Sequence, residues 1–334
     1  MKNTSSTTGV IGSFNQIEYI EEAVVSLVNQ VDEVIVVDDQ SQDGTYEKLV
    51  QLESAHSNLR VIKPITKLGV SGAYNLAAKE SSGEILLIQG GDDVSMNHRA
   101  KTQIAILDDP KITVAYSWPL LINRYSHHLS NSAGSEFFRE RLHGDIFAEL
   151  FFVGNFICAP SVAMRTTDYL ELGGFPVNVD ALQDYALWLK ASDMGHFKSS
   201  EEPVVKYRKH AHNLSKLDFS NSGAKRRQVT EFQFVIDGAL STASLEGLSR
   251  LRSAVGLDGV DVSRNFTEIL IKSKHPNRHV RLSAVQNLLQ ESQNIDVSAA
   301  DLRTYSVLIN HILATCDPEN VVLMQQIANK LNIN

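Results

Sequence analysis

Only two cysteines occur in 334 residues, Cys158 and Cys316, far apart and in no metal-like spacing. That excludes a disulfide framework and fits a reducing compartment. Basic residues are also short: 31 Lys and Arg stand against 39 Asp and Glu, a formal net charge of -8. Without a basic excess the chain lacks the electrostatic footprint of a nucleic-acid binder. No apolar run reaches the ~18 residues that a membrane span requires. The opening residues MKNTSSTTG are polar, unlike a secretory signal. The expectation is a cytoplasmic protein without a transmembrane segment, with peripheral attachment at the inner membrane face left open. No P-loop or dinucleotide fingerprint occurs either.

What is present is room for two domains, with 43% of residues hydrophobic. The N-terminal part alternates between two periods. Val10-Ile11 within TTGVIGSF reads as a first strand, and IEYIEEAVVSLVNQ spaces Ile17, Ile20, Val24, Leu27 and Val28 along one helical face. Glu18, Glu21 and Glu22 lie at the end of that helix where its dipole favours negative charge. DEVIVVD, LRVIKP and EILLI predict three more strands, with TYEKLVQLESAHS and SGAYNLAAKESS as the helices between them. This order implies a mostly parallel, Rossmann-like sheet flanked by helices, because strands buried on both faces need no alternation.

Farther on, HRAKTQIAILDD predicts a helix stopped by Pro110, TVAYSWPLLI and FICAPSVAMR predict strands, and ALQDYALWLKASD a helix. After Ser215 no strand-like run remains. NRHVRLSAVQNLLQES, DLRTYSVLINHILAT and ENVVLMQQIANKL read as helices with no fixed repeat period. The expected division is an α/β domain over 1–218 and an all-α C-terminal region over 219–334.

Two strands end in adjacent carboxylates, Asp38-Asp39 and Asp92-Asp93. Ligands of a parallel α/β sheet bind outside the carboxyl ends of its strands, so both pairs belong on one edge. Like charges that close repel, and a bound Mg²⁺ or Mn²⁺ would relieve them, since it takes one or two protein carboxylates and completes its shell with water and phosphate. Taken singly, either pair could equally be a turn or a helix cap. It is their joint placement that points to a site.

The segments SFNQIEYIEEAVVSLVNQ, EVIVVDDQSQDGT, KLGVSGAYNLAAKESSGEILLIQGGDD, GGFPVNVDALQDYALWLK and YRKHAHNLS follow one another between about residues 8 and 215. In that order they resemble the motifs of the inverting, nucleotide-sugar-dependent family 2 glycosyltransferases. The resemblance implies a GT-A type α/β fold followed by a helical region. It implies transfer of a sugar from a nucleotide-diphosphate donor, most commonly a UDP-sugar, to a hydroxyl of a glycan, lipid-linked or protein acceptor. Ser13, Asn15 and Glu18 would line the nucleotide site, and Asp38 or Asp39 would accept a hydrogen bond from the base. Lys67 and Asn75 would lie near the nucleoside and sugar. Asp92 would coordinate Mn²⁺ or Mg²⁺ with Gly91 and Asp93 alongside, and His210 is a candidate to assist the metal or diphosphate. Asp184 would be the general base, with Gln183 before it binding substrate, while a carboxylate at the start of a helix is also what the dipole favours. Trp188, one turn on, reads as packing. The C-terminal helices would serve oligomerisation or a partner.

The chain departs from the family pattern twice. The first position of the usual Asp-x-Asp metal motif is Gly90, and the usual Glu-Asp pair at the base reads Gln183-Asp184. These keep open a degenerate transferase that binds without turnover and acts through its helical tail. A receiver-type phosphoacceptor domain also gathers aspartates at strand ends, but its acidic pair ends the first strand, whereas a whole βα unit precedes Asp38 here. A nucleotidyltransferase would carry a glycine- and lysine/arginine-rich phosphate loop after the first strand, which is absent.

Overall fold

Short β-branched runs bounded by turn residues become the strands of a central sheet. The computed structural model describes residues 5–129, 138, 144–210, 213, 222–259 and 263–294. Strands β1 (Thr7–Ser13), β2 (Glu33–Asp38), β3 (Leu59–Ile62) and β4 (Ile85–Gly90) lie parallel in the order β3-β2-β1-β4. Helices α1 (Ile20–Val28), α2 (Thr45–Ala55) and α3 (Gly69–Lys79) make the crossovers. Val34, Ile35, Val36 and Val37 are all buried, which is why β2 shows no alternation of apolar and polar residues. Register matters most at the strand ends. Ser13 pairs with Asp38, and Gly12 pairs with Gly90, so the carboxyl ends of β1, β2 and β4 form one edge.

Beyond β4 come the two-residue β5 (Val94–Ser95), α4 (Arg99–Leu107), β6 (Ile112–Tyr116) and β7 (Leu120–Asn123). Then follow α5 (Ile146–Val153), β8 (Ala163–Arg165), α6 (Thr166–Glu171), α7 (Gln183–Met194), β9 (His196–Ser199) and β10 (Val205–Lys209). The large sheet runs β3-β2-β1-β4-β8-β6-β9, with β8 antiparallel to both neighbours, and β5-β10-β7 form a second sheet. TVAYSWPLLI is therefore two strands in two sheets, because Pro119 carries no backbone donor and breaks the ladder between them. Of FICAPSVAMR only Ala163–Arg165 is a strand, since Pro160 sits in a 3₁₀ turn, Ala159–Ser161. β9, β10 and α5 are not marked by sequence pattern: HFKS is polar, VKYRK is basic, and α5 is apolar nearly all round.

The chain divides into two compact units, one of Met1–Ile146 and Asn155–Lys225, the other of Phe147–Gly154 and Arg226–Asn334. The second unit is helical where described: α8 (Ser222–Thr242, from Arg226 on), α9 (Leu245–Ala254), α10 (Arg264–Ser273) and α11 (Arg278–Asn294). Most of α5, taken from mid-chain, belongs to it. Phe147, Leu150 and Phe151 are buried, the Arg250 guanidinium lies 5.4 Å from the Phe147 ring centre, and His275 Nε2 is 2.8 Å from the Phe151 carbonyl oxygen. Burial lowers the His275 pKa to about 4, so the ring stays neutral in that packing. The two C-terminal segments expected as helices, 301–315 and 319–331, lie outside the described residues. Among those described, no helix is long and apolar enough to cross a membrane.

Candidate active site

At the ends of β1 and β2 two buried polar atoms, Ser13 Oγ and Asp38 Oδ1, have no hydrogen-bond partner among the described residues. Buried polar groups are nearly always paired, so atoms left open at adjoining strand ends can take a hydrogen bond from water or a polar ligand. The other Asp38 oxygen accepts the Ser41 N–H at 3.0 Å. Asp39 is used differently: its two oxygens accept the N–H groups of Leu68 and Gly69 at 2.6 and 2.9 Å, capping α3. Asn15, at φ 53°, joins the β1 and β2 loops. Its N–H donates to Ser41 Oγ and its Oδ1 accepts the Gln42 N–H, both at 2.9 Å. The Lys67 ammonium lies 3.4 Å from the centre of the exposed Phe14 ring at the same edge. Asn75 is not presented to a sugar in this arrangement. Its amide donates to the Phe175 carbonyl at 2.8 Å, and its oxygen accepts Tyr169 Oη at 2.7 Å and the Phe175 N–H at 2.9 Å. Its fork is committed to Tyr169 of α6 and to the turn that follows that helix.

The second acidic pair divides its work. Asp93 is buried, and Oδ1 accepts the Arg208 N–H at 2.9 Å. Burial, then the neighbouring Asp92 charge, pushes its pKa well above the usual carboxylate range. Asp92 faces the other way, with Oδ2 2.8 Å from His210 Nε2, and the His210 ring lies 5.0 Å from that of Tyr19. Two buried guanidiniums stand beneath the pair. Arg208, 1% exposed, donates to the Asp92 carbonyl at 2.7 Å and to Glu22 at 2.6 Å, with further bonds to the turn after β7. Arg99, fully buried, is held by Gln103 Oε1, Ser95 Oγ and the Ile88 and Val162 carbonyls. These two cations lower the Asp93 proton affinity, but less than burial and the Asp92 charge raise it. A Cβ at Gly90 would lie 2.6 Å from Asp93 Oδ2 and 2.8 Å from Asp92 Oδ1, so a side chain there would oblige the carboxylates to turn. At Gly91 it would run into Gln16 Oε1. Beside His210 opens a cleft of about 400 Å³ lined by Asn15, Glu18, Tyr19, Arg124 and Lys209 among others. Glu18 pairs across it with Arg124 at 3.2 Å.

Asp184 lies in the first turn of α7 and is half-buried. Oδ1 accepts the Tyr185 N–H at 2.7 Å and Oδ2 accepts Asn155 Nδ2 at 3.0 Å. Burial raises its pKa to about 6, with those hydrogen bonds pulling the other way. Gln183, beside it, has a buried Oε1 without a hydrogen-bond partner among the described residues. The buried Cys158 thiol is pushed up by its burial and then by the charges of both Asp93 and Asp184. Asp93 and Asp184 therefore both bear on one side chain of the first unit. Trp188 is fully buried and packs edge-to-face on Phe175 with ring centres 6.1 Å apart, so it is core and not a sugar platform.

The sequence model described as glycosyl transferase family 2 matches residues 9–171, from β1 to the end of α6. An uncharacterized glycosyltransferase of Haemophilus influenzae is 25% identical over 225 residues, 65% of this chain and 69% of the relative. Residues 9–171 belong to glycosyl transferase family 2. The chain shares its fold with solved structures, two of which follow. TarS of S. aureus in complex with UDP-GlcNAc superposes with TM-score 0.59 at 18% identity, over 98% of this chain and 89% of that one. The mannosyltransferase PcManGT of Pyrobaculum calidifontis, in complex with GDP-Man and Mn²⁺, gives TM-score 0.55 at 18% identity, over 99% and 87%.

Among the described residues of this glycosyltransferase no three His, Cys, Asp or Glu groups cluster tightly enough to hold a metal alone. Asp92 and His210 do offer a carboxylate and an imidazole side by side. That set fits a divalent ion whose other positions come from water and phosphate oxygens. Arg208, Arg99 and Asn155 are the functional-site residues that pattern alone does not mark. Arg208 lies within YRKHAHNLS, but its burial follows from partners elsewhere in the chain. A glycine-asparagine step after an apolar helix is the one local sign of Asn155.

Proposed function

We propose that this glycosyltransferase moves a sugar from a nucleotide-diphosphate donor, a UDP-sugar, to an acceptor hydroxyl with inversion and with the help of Mn²⁺ or Mg²⁺. The observation that carries this reading is Asp184, a half-buried carboxyl with a pKa of about 6, close to the operating range of a general base. In the ionised form a carboxylate oxygen of Asp184 takes the proton of the acceptor hydroxyl as the hydroxyl oxygen attacks the anomeric carbon. The bond from that carbon to the diphosphate breaks on the opposite face, and the diphosphate leaves with the electron pair. An α-linked donor then yields a β-linked product, with no covalent intermediate.

Asp92 and His210 would hold the ion, and when bound it neutralises charge developing on the departing diphosphate. Asp38 and Ser13, with their unpartnered oxygens, and Lys67 and Asn15 at the same edge would receive the nucleoside. The complexes of TarS with UDP-GlcNAc and of PcManGT with GDP-Man and Mn²⁺ support the donor class and the ion by analogy of fold. The acceptor is a glycan, lipid-linked or protein hydroxyl at the cytoplasmic side, and the helical unit serves self-association or a partner.

A donor panel tests the reading. Release of nucleoside diphosphate from UDP-, GDP- and TDP-sugars is measured with Mn²⁺ or Mg²⁺ and with EDTA. A UDP-sugar should be consumed only with metal present, and Asp184→Asn should abolish transfer while leaving donor binding intact. If every donor survives with metal and acceptor extracts present, the reading is wrong.

A further inference from the structure

Asp184 is not held by its own helix alone. Asn155 reaches it from the segment that follows α5, with Nδ2 3.0 Å from Asp184 Oδ2. The orientation of that amide is settled by its other end, because Asn155 Oδ1 accepts the Ile157 N–H at 3.1 Å. With the oxygen on a backbone donor, the NH₂ group must face the carboxylate. Resting on Asp184 as the base, we infer that Asn155 is a positioning residue of the transfer, clamping Asp184 Oδ2 and favouring its ionised form.

The chemistry of the surroundings supports this. The influences on the Asp184 proton are its burial, which raises its affinity, and three donors that lower it: the Tyr185 N–H, the Asn155 amide and its own N–H. Only Asn155 among these is a side chain. The titratable neighbour from the facing segment is Cys158, whose thiol is itself raised and stays neutral. On its own helix Tyr185 is buried with its phenol raised by burial, so it too is neutral. Asn155 is thus the side chain that counteracts desolvation of the base, by a hydrogen bond to the charged form.

Asn155→Asp is the discriminating variant. Its carboxylate can still accept the Ile157 N–H and keep the turn, but it replaces a donor facing Asp184 with a like charge. Nucleoside diphosphate release from the UDP-sugar consumed in the panel, with water as acceptor, is followed between about pH 5 and pH 9. The acid limb should move up by about one unit or more, roughly a tenfold loss at a pH below both midpoints. Asn155→Ser, which also offers an oxygen to the turn, should shift it the same way by less. Rates lowered equally at every pH, or an unshifted midpoint in either folded variant, would overturn the inference, as would failure of both variants to fold. Transfer surviving in Asp184→Asn would instead sink the assignment of the base itself. The two failures are distinguishable.

Discussion

The Asp184 carboxyl sits where water has been partly removed and no side-chain cation is among the groups that set its proton affinity. A folded-state pKa of about 6 against a reference of 3.8 means that the folded chain holds more protons than the unfolded chain between those values. Stability therefore falls as pH rises through that window, and the ionised base costs up to roughly 3 kcal/mol above it. Asp184→Asn should raise stability by about 1–3 kcal/mol at neutral pH and by much less at about pH 4, read by chemical denaturation. An equal gain at both pH values would contradict a strained, ionisable base. Gly90 makes a second case. Restoring the family's aspartate there places a Cβ within 2.8 Å of both following carboxylates. Gly90→Asp should therefore weaken Mn²⁺ binding and turnover, measured by titration calorimetry and donor consumption, and not improve them.

Between elements, Arg208 in β10 ties the loop after β4 to α1 and to the turn after β7. A planar fork with five donors suits that work, and an ammonium does not. Removing one partner of a buried charge network typically costs about 3–5 kcal/mol. Arg208→Met should lose about that much stability and release Asp92 from its alignment, while Arg208→Lys should recover only part, both read by urea denaturation. Strand ends were legible in sequence because a β-branched run and its closing acid are neighbours in the chain. β10 was not legible: VKYRK shows no apolar pattern, and its place is set by pairing with β5 and β7.

For the whole chain, the helical unit borrows α5 from the middle of the sequence. A cut at Lys225 would leave α5 behind and remove the helices that belong to its unit, exposing Phe147, Leu150 and Phe151. Each such side chain is worth about 1.5–3 kcal/mol of burial. The chain truncated after Lys225 should aggregate and bind an apolar dye, and Phe147→Ser with Phe151→Ser should restore its solubility. Soluble, dye-negative truncated protein would show that α5 stands without its unit.

What the sequence by itself determined is the alternation of strands and helices and the presence of acids at strand ends, since both depend on residues a few positions apart. Which acid is open to a ligand was decided only in three dimensions. Asp39 closes on α3 while Asp38 keeps an unpartnered oxygen. Asp93 is turned inward by a backbone N–H 115 residues away while Asp92 meets His210. Adjacent carboxylates look alike in a string of letters. Burial and partners tell them apart, and those come from distant parts of the chain.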